Sequence, residues 1–264
     1  MGMIITTAKK ARTDEIEEAQ WLAETWDHPY EPRRKKSFQQ WLRQRNESIY
    51  AVGAKQDKLY HPASNHPLTF HPSMAWIRYQ RLKKGGKDPM VEAAGLREGM
   101  TFLDGTLGLA SDSIVASTVT GEMGNVCGVE CHPFMARLVQ KGLKHWEEDC
   151  SAFNRAMRRI NLVTGEHGQV LENMSDHQVD VVYFDPMFEK AVDASVHLKP
   201  LRLFASHEPL QRSVLTEAIR VAGKRVVVKT TSFSSSLESL GFTWMKRAGA
   251  SFSYAVLDKG EEIE

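Results

Sequence analysis

Four consecutive residues, Asp185-Pro186-Met187-Phe188, follow an apolar run over 179–184 and bring together a carboxylate, a prolyl carbonyl and an aromatic ring. The carboxylate of Asp185 and the carbonyl of Pro186 can each accept one N–H of a primary amine. An amine conjugated to a ring or a carbonyl is a poor nucleophile, because its lone pair is delocalised. Held by two acceptors, the nitrogen stays nearer tetrahedral and its lone pair can be aimed at an electrophilic carbon. The same acceptors stabilise the positive charge that develops on nitrogen. Asp185 need not be a strong base, since the product ammonium is itself strongly acidic. The ring of Phe188 offers a face for a nucleobase taken out of its stack. An Asp-Pro turn that merely ends a strand gives the same tetrapeptide, so its position in the fold decides between the two.

A second cluster reads Asp104-Gly105-Thr106-Leu107-Gly108-Leu109-Ala110-Ser111-Asp112. Small residues after a strand let the backbone pass close to a ligand at the carboxyl edge of a sheet. Gly105 and Gly108 are three apart and no third glycine follows, so the turn is not the dinucleotide fingerprint. Asp104 would repel a pyrophosphate, the group such turns otherwise cradle. It suits a ligand carrying an ammonium and a sulfonium, and S-adenosylmethionine (SAM) carries both. The predicted cofactor-binding residues of this turn are Asp104, Gly105, Thr106, Gly108, Leu109 and Asp112. Asp112 either touches the methionine part of SAM or serves as a dipole partner in the first turn of a helix. Glu130, at the end of the next strand, is placed to accept hydrogen bonds from a ribose diol, a contact common to several nucleoside cofactors. Glu166, after the third strand, faces the expected position of the adenine amino group.

These residues need a parallel sheet to position them, and the pattern from residue 88 onward supplies one. Strands are predicted over 101–103, 126–130, 160–164, 179–184 and 225–229, with helices between them, which is the signature of crossover connections. The last two strands, 242–247 and 251–257, are separated by only three residues, too few for a crossover, so they pair antiparallel. The predicted class is α/β: a Rossmann-like, seven-stranded, mostly parallel sheet closed by a C-terminal antiparallel hairpin. Residues 1–87 form a separate, small α+β unit, and 88–264 the SAM-binding domain. The first unit holds a strand over 3–7, helices over 14–25 and 37–45, and a hairpin over 48–54 and 58–61. Three His-Pro dipeptides, at 61, 66 and 71, fix an extended connector rather than a metal site. Residues 74–87 mix aromatic and basic side chains, which suits either stacking on bases or an amphipathic helix with Trp76 and Tyr79 turned inward.

The formal net charge is only +1, yet residues 30–87 hold 13 Lys and Arg against three Asp and Glu. That asymmetry points to a polyanionic partner and makes the first unit a candidate for substrate recognition. Lys199, Arg202 and Lys229 are either phosphate contacts or solvent-exposed charges. Three cysteines without a CxxC pair give neither a disulfide framework nor a zinc site, and no metal is expected. No apolar run approaches membrane-span length, so no membrane partner is expected and a cytoplasmic location is.

The tetrapeptide at 185–188 matches the [N/D]-P-P-[F/Y] motif of enzymes that methylate exocyclic or amide nitrogens, with Met187 in place of the second proline. More broadly, the chain resembles a bacterial family of SAM-dependent methyltransferases that includes the small-subunit ribosomal RNA guanine-N2 methyltransferase. The likeness covers roughly residues 68–240. It is densest in Val181-Val182-Tyr183-Phe184-Asp185-Pro186-Met187-Phe188 and in the segment from Lys224 to Lys229. The family turn is closer to D-A-T-A-G-L-G-x-D, so Asp104, Thr106, Gly108, Leu109 and Asp112 carry over, whereas Leu107 and Ala110 replace an alanine and a glycine. The chain also has Glu189 where the family has proline, and Thr230-Thr231 where it has Arg-Pro. In place of the family's Gly/Arg-rich upstream loop it has only Lys84-Gly85-Gly86-Lys87. The resemblance implies a class I methyltransferase fold, SAM as cofactor, Asp185 to Phe188 as catalytic residues and small-subunit ribosomal RNA as partner. A protein amide or a small-molecule amine is the alternative acceptor. A non-catalytic RNA-binding factor that keeps the fold is a further alternative, and a nucleotide-dependent oxidoreductase is the least favoured.

Overall fold

The computed structural model describes residues 2–33, 37–187, 199–205, 208–232, 234–247 and 249–260. In chain order the elements begin with β1 (Met3–Thr7), α1 (Thr13–Thr25), α2 (Phe38–Arg45), β2 (Ser48–Val52), β3 (Lys58–Tyr60), α3 (Ser73–Lys83) and α4 (Pro89–Ala94). They continue with β4 (Thr101–Asp104), α5 (Ser111–Thr120), β5 (Asn125–Glu130), α6 (Pro133–His145), α7 (Ser151–Arg158), β6 (Ile160–Thr164), α8 (His167–Glu172) and β7 (Val179–Phe184). The last are α9 (Lys199–Arg202), α10 (Arg212–Val221), β8 (Ala222–Thr230), α11 (Ser235–Ser239), β9 (Thr243–Met245) and β10 (Ser253–Asp258). The chain divides into two compact units, one formed by the described residues of 1–71, 137–146 and 193–205, the other by the rest.

In the first unit β1 and β2 pair in parallel, Met3 opposite Ser48, and β3 adds antiparallel to β2. A parallel pair needs a crossover, and α1 and α2 lie in the connection. A reciprocal capping box between Ser37 and Gln40 starts α2, and Asn46 in the left-handed region ends it. Asp57 is fully buried and is held by the Tyr50 hydroxyl at 2.8 Å, the Gly53 N–H at 3.0 Å and Lys141 Nζ at 2.9 Å. Lys141 also reaches Glu18, which pairs in addition with Arg137. The His-Pro segment is a packed connector: His61 meets Phe204 edge-on and His71 meets Trp146, so these two rings go to separate neighbours.

The second unit is built on a seven-stranded sheet in the order β6-β5-β4-β7-β8-β10-β9. The first five strands pair in parallel, and β10 runs antiparallel between β8 and β9. The predicted parallel sheet with its closing hairpin is therefore the fold observed. Val181, Val182, Tyr183 and Phe184 of β7 are all buried, as expected of an interior strand covered by helices on both faces. Chain order reverses at β4, whose neighbours are β5 and β7, and such a switch point opens a crevice at the carboxyl ends of the strands.

Helix α3 belongs to this second unit, so the division falls at His71 and not at Lys87. The aromatic side chains of α3 account for this. Trp76 and Tyr79 stack on one another with centroids 5.7 Å apart, and both pack on Phe153 of α7. Of the two readings of residues 74–87, the inward-packed helix is the one observed for Trp76 and Tyr79. Asp88 caps α4 through Met90 N–H and Val91 N–H, with Pro89 in the first turn.

Candidate active site

Four strands of the parallel sheet deliver acidic or basic groups to one edge. Asp104 ends β4, Glu130 ends β5, Asp185 follows β7 and Lys229 lies at the end of β8. Asp104 is opposite Tyr183 and Gly128 across the sheet, and Phe184 is opposite Val228, so the register brings the carboxylates of β4 and β7 together.

Asp104 is almost wholly withdrawn from water, 1% exposed. Its carboxylate accepts Ser113 Oγ–H at 2.7 Å and the Thr106 N–H at 3.0 Å. Burial pushes its pKa up to about 7, and the charge of Asp112 adds to the rise, while the bonds from Ser113 and Thr106 oppose it. Gly105 is required sterically, because a Cβ there would overlap the ring of Phe184. Its N–H bonds the Tyr183 carbonyl at 2.9 Å, and the Thr106 hydroxyl accepts the Asp185 N–H at 2.6 Å. The turn after β4 and the turn after β7 are thereby tied together. Gly108 and Ala110 both adopt positive φ, +51° and +62°, so Ala110 holds a left-handed conformation where the family pattern has glycine. Leu109 is half-buried in the same turn.

Glu130 is buried, and its carboxylate accepts the His132 N–H at 2.9 Å and the Gly108 N–H, which couples β5 to the turn. Burial raises its pKa, and these two bonds oppose the rise. Glu166 is exposed at the N-cap of α8, and the neighbouring His167 ring stands edge-on to Phe184 at 5.7 Å. Asp112 lies in the first turn of α5 and both its oxygens have protein partners, Arg78 Nη1 on one and the Tyr183 hydroxyl on the other at 3.0 Å. Arg78 reaches from α3 and also grips Asp88 at 2.8 Å and 2.9 Å. Nothing in the sequence pattern singled out Arg78, because the pairing depends on how α3 docks.

Asp185, Pro186 and Met187 are each half-buried at the mouth of β7; Phe188 lies outside the described residues. Lys229 Nζ sits 2.6 Å from Asp185 Oδ2. Loss of water raises the Asp185 pKa to about 6, Lys229 opposes that rise, and Asp112 adds to it. The Lys229 ammonium is lowered by burial but raised more by Asp112 and Asp185, so at neutral pH the two form an ion pair. The sequence alone allows Lys229 to be either a phosphate contact or a solvent-exposed charge; its charge is instead paired with the Asp185 carboxylate. Arg202 belongs to the first unit, and the side chain of Lys199 lies outside the described residues.

The donor set around the turn is anionic, three buried or half-buried carboxylates with backbone close by, which fits a cationic nucleoside and disfavours a pyrophosphate. Residues 35–245 match the family described as "Putative SAM-dependent methyltransferase". The chain belongs to this family. SAM is accordingly its cofactor. Protein YpiP of Bacillus subtilis is similar at 39% identity, over 96% of this chain and 98% of that protein. Ribosomal RNA small subunit methyltransferase J of Shewanella loihica is 32% identical over 62% of this chain, and the alignment spans 64% of that relative's length. Among solved structures, a SAM-dependent methyltransferase from Neisseria gonorrhoeae shares the fold, with a TM-score of 0.61 at 18% identity over 97% of this chain and 95% of that one. Among the described residues no group of His, Cys, Asp and Glu is placed to hold a metal ion, and no helix is long and apolar enough to cross a membrane.

Proposed function

We propose that this member of the family transfers the SAM methyl group to the exocyclic amine of a guanine in small-subunit ribosomal RNA. The observation that carries the proposal is the carboxylate of Asp185 beside the Pro186 carbonyl at the switch point of the sheet, with Lys229 as its counterion. Bound SAM supplies an electrophilic methyl on a sulfonium. Asp185, kept ionised by Lys229, acts only as an acceptor and takes one N–H of the amine. The Pro186 carbonyl takes the other. With both N–H groups held, the amine lone pair is aimed where SAM would supply its methyl, and the sulfur would keep the electron pair of the C–S bond. The excess proton leaves the acidic ammonium to water. Asp104, Gly105, Thr106, Gly108, Leu109 and Glu130 are the residues proposed to hold SAM. In this reading Glu166 lies beside the adenine, and Asp112 shapes the site through Arg78 and Tyr183. Phe188 is proposed to support the base.

Two supports favour RNA over a protein amide or a small amine. One is the concentration of positive charge in residues 30–87; the other is the similarity to a ribosomal RNA methyltransferase. The basic stretch 30–87, which spans parts of both units, is proposed to recognise RNA. The test is methyl transfer from labelled SAM to ribosomal RNA and small subunits from cells lacking this protein. Asp185→Ala is expected to lower kcat about 100- to 1,000-fold with SAM affinity retained. Label absent from RNA and particles, with SAM bound, would exclude the ribosomal substrate and redirect the search to amides and small amines.

A further inference from the structure

The ring of Phe252, in the connection between β9 and β10, carries two cations. Lys229 Nζ lies 4.5 Å from its centroid and Arg247 Cζ 4.6 Å, and the ring stands edge-on to Tyr254 at 5.8 Å. The two cations differ in their counter-charge. Lys229 has Asp185 at 2.6 Å. Arg247 has no carboxylate partner among the described residues, and its Nη1 is withdrawn from water without a hydrogen-bond acceptor. Its backbone is nevertheless fixed, with the N–H bonding Ser253 Oγ at 3.1 Å. A guanidinium seated over an aromatic ring, with no carboxylate partner among the described residues, is a fork for an anion with two oxygens to offer. The sequence of contacts runs from Asp185 to Lys229, to Phe252, to Arg247.

We propose that Arg247, seated on Phe252, binds a backbone phosphate of the acceptor RNA while Asp185 holds its base. The assignment rests on the RNA reading above. It gives the hairpin, whose strands otherwise only close the sheet, a part in substrate positioning, and it moves the phosphate contact from Lys229 to Arg247. Arg247 is a binding residue and takes no part in the transfer itself.

The experiment compares the wild-type protein with R247Q, R247K and F252A in labelled methyl transfer to ribosomal RNA, with SAM affinity measured by calorimetry as the control for folding. R247Q is expected to raise KM for RNA about tenfold with kcat within about twofold of wild type and SAM affinity unchanged. R247K, which keeps the charge but not the fork, is expected to fall between wild type and R247Q. F252A, which removes the platform under both Arg247 and Lys229, is expected to raise KM as R247Q does and to lower kcat as well. Wild-type activity on RNA together with an unchanged KM in R247Q would overturn the assignment and leave the RNA reading standing. No wild-type activity on RNA would remove the RNA reading, and the assignment with it. A loss of SAM affinity in R247Q, with R247K normal in every respect, would reassign Arg247 to structure and overturn the proposal.

Discussion

Asp104 is a carboxylate in a place where a carboxylate is poorly tolerated without a cation. Its pKa, pushed up to about 7 by burial and by Asp112, lies above the ordinary value. A raised folded pKa means the folded state holds the proton more tightly than the unfolded chain. The stability this group contributes is fully present below the ordinary carboxylate range and is lost as pH rises through about 7. A cationic cofactor reverses the preference by favouring the ionised form. SAM binding is therefore expected to release about half a proton at pH 7, rising toward one near pH 6, and to tighten between about pH 6 and pH 8. Calorimetry in two buffers of different ionisation enthalpy reads the proton directly, and no buffer dependence would exclude Asp104 as the group that senses the cofactor charge. Lys229 acts on the other carboxylate. Replacing it with Met removes the charge that opposes the burial-driven rise of Asp185, so the Asp185 pKa is expected to climb further above about 6. Activity needs the ionised form and falls as pH drops through that pKa, so the acid limb of kcat should move to higher pH in Lys229→Met. An unmoved limb would mean that Lys229 does not set the charge of Asp185. Asp104 and Asp185 were legible in the sequence, because each follows an apolar strand and precedes a turn residue. Their partners were not: the contact of Lys229 with Asp185 depends on the β7–β8 register, and that of Ser113 with Asp104 on how α5 enters the turn.

At the scale of elements, strand periodicity gave the sheet and its hairpin, since apolar runs and short connections constrain pairing strongly. Helix α3 shows where that reasoning stops. Its aromatic and basic residues suit a nucleic-acid face equally well, and only packing against Phe153 decides the fate of Trp76 and Tyr79. Arg78, 16% exposed, is the other half of that docking, a cation bridging a fully buried Asp88 and the N-terminal turn of α5 at Asp112. Burial would raise both carboxyl pKa values, but Arg78, joined by Val91 N–H and Arg81 at Asp88 and by Lys229 and Tyr183 at Asp112, outweighs it, so both end below the usual range. Removing one partner of such a pair leaves uncompensated charge behind. Arg78→Met is expected to cost roughly 3 kcal/mol in chemical denaturation and to weaken SAM binding, because Asp112 and the start of α5 lose their anchor. A change below about 0.5 kcal/mol would show that Asp88 and Asp112 are satisfied without it, and that α3 is held by its aromatic face alone.

At the scale of the whole molecule, the near-zero net charge is the sum of segregated parts. Residues 30–87 carry a balance of +10, while the rest of the chain is acidic and includes the carboxylates proposed to serve a cationic cofactor. A protein that binds a sulfonium nucleoside and a polyanion needs both signs, and mixing them evenly would weaken each field. Keeping the basic residues in one stretch of sequence separates the two tasks along the chain. The consequence is a testable salt dependence. Each phosphate neutralised by Lys or Arg adds slightly less than one to the slope of log affinity against log salt. Replacing Arg34, Lys35 and Lys36 together with Gln is expected to reduce that slope for ribosomal RNA by about two to three. SAM affinity and thermal stability should stay at their wild-type values, because these three residues lie far in sequence from the carboxylate cluster. Affinity for RNA titrated across potassium chloride concentrations measures the slope. An unchanged slope would show that the basic stretch is solvated surface, and would leave Arg247 and the catalytic edge of the sheet to hold the substrate unaided.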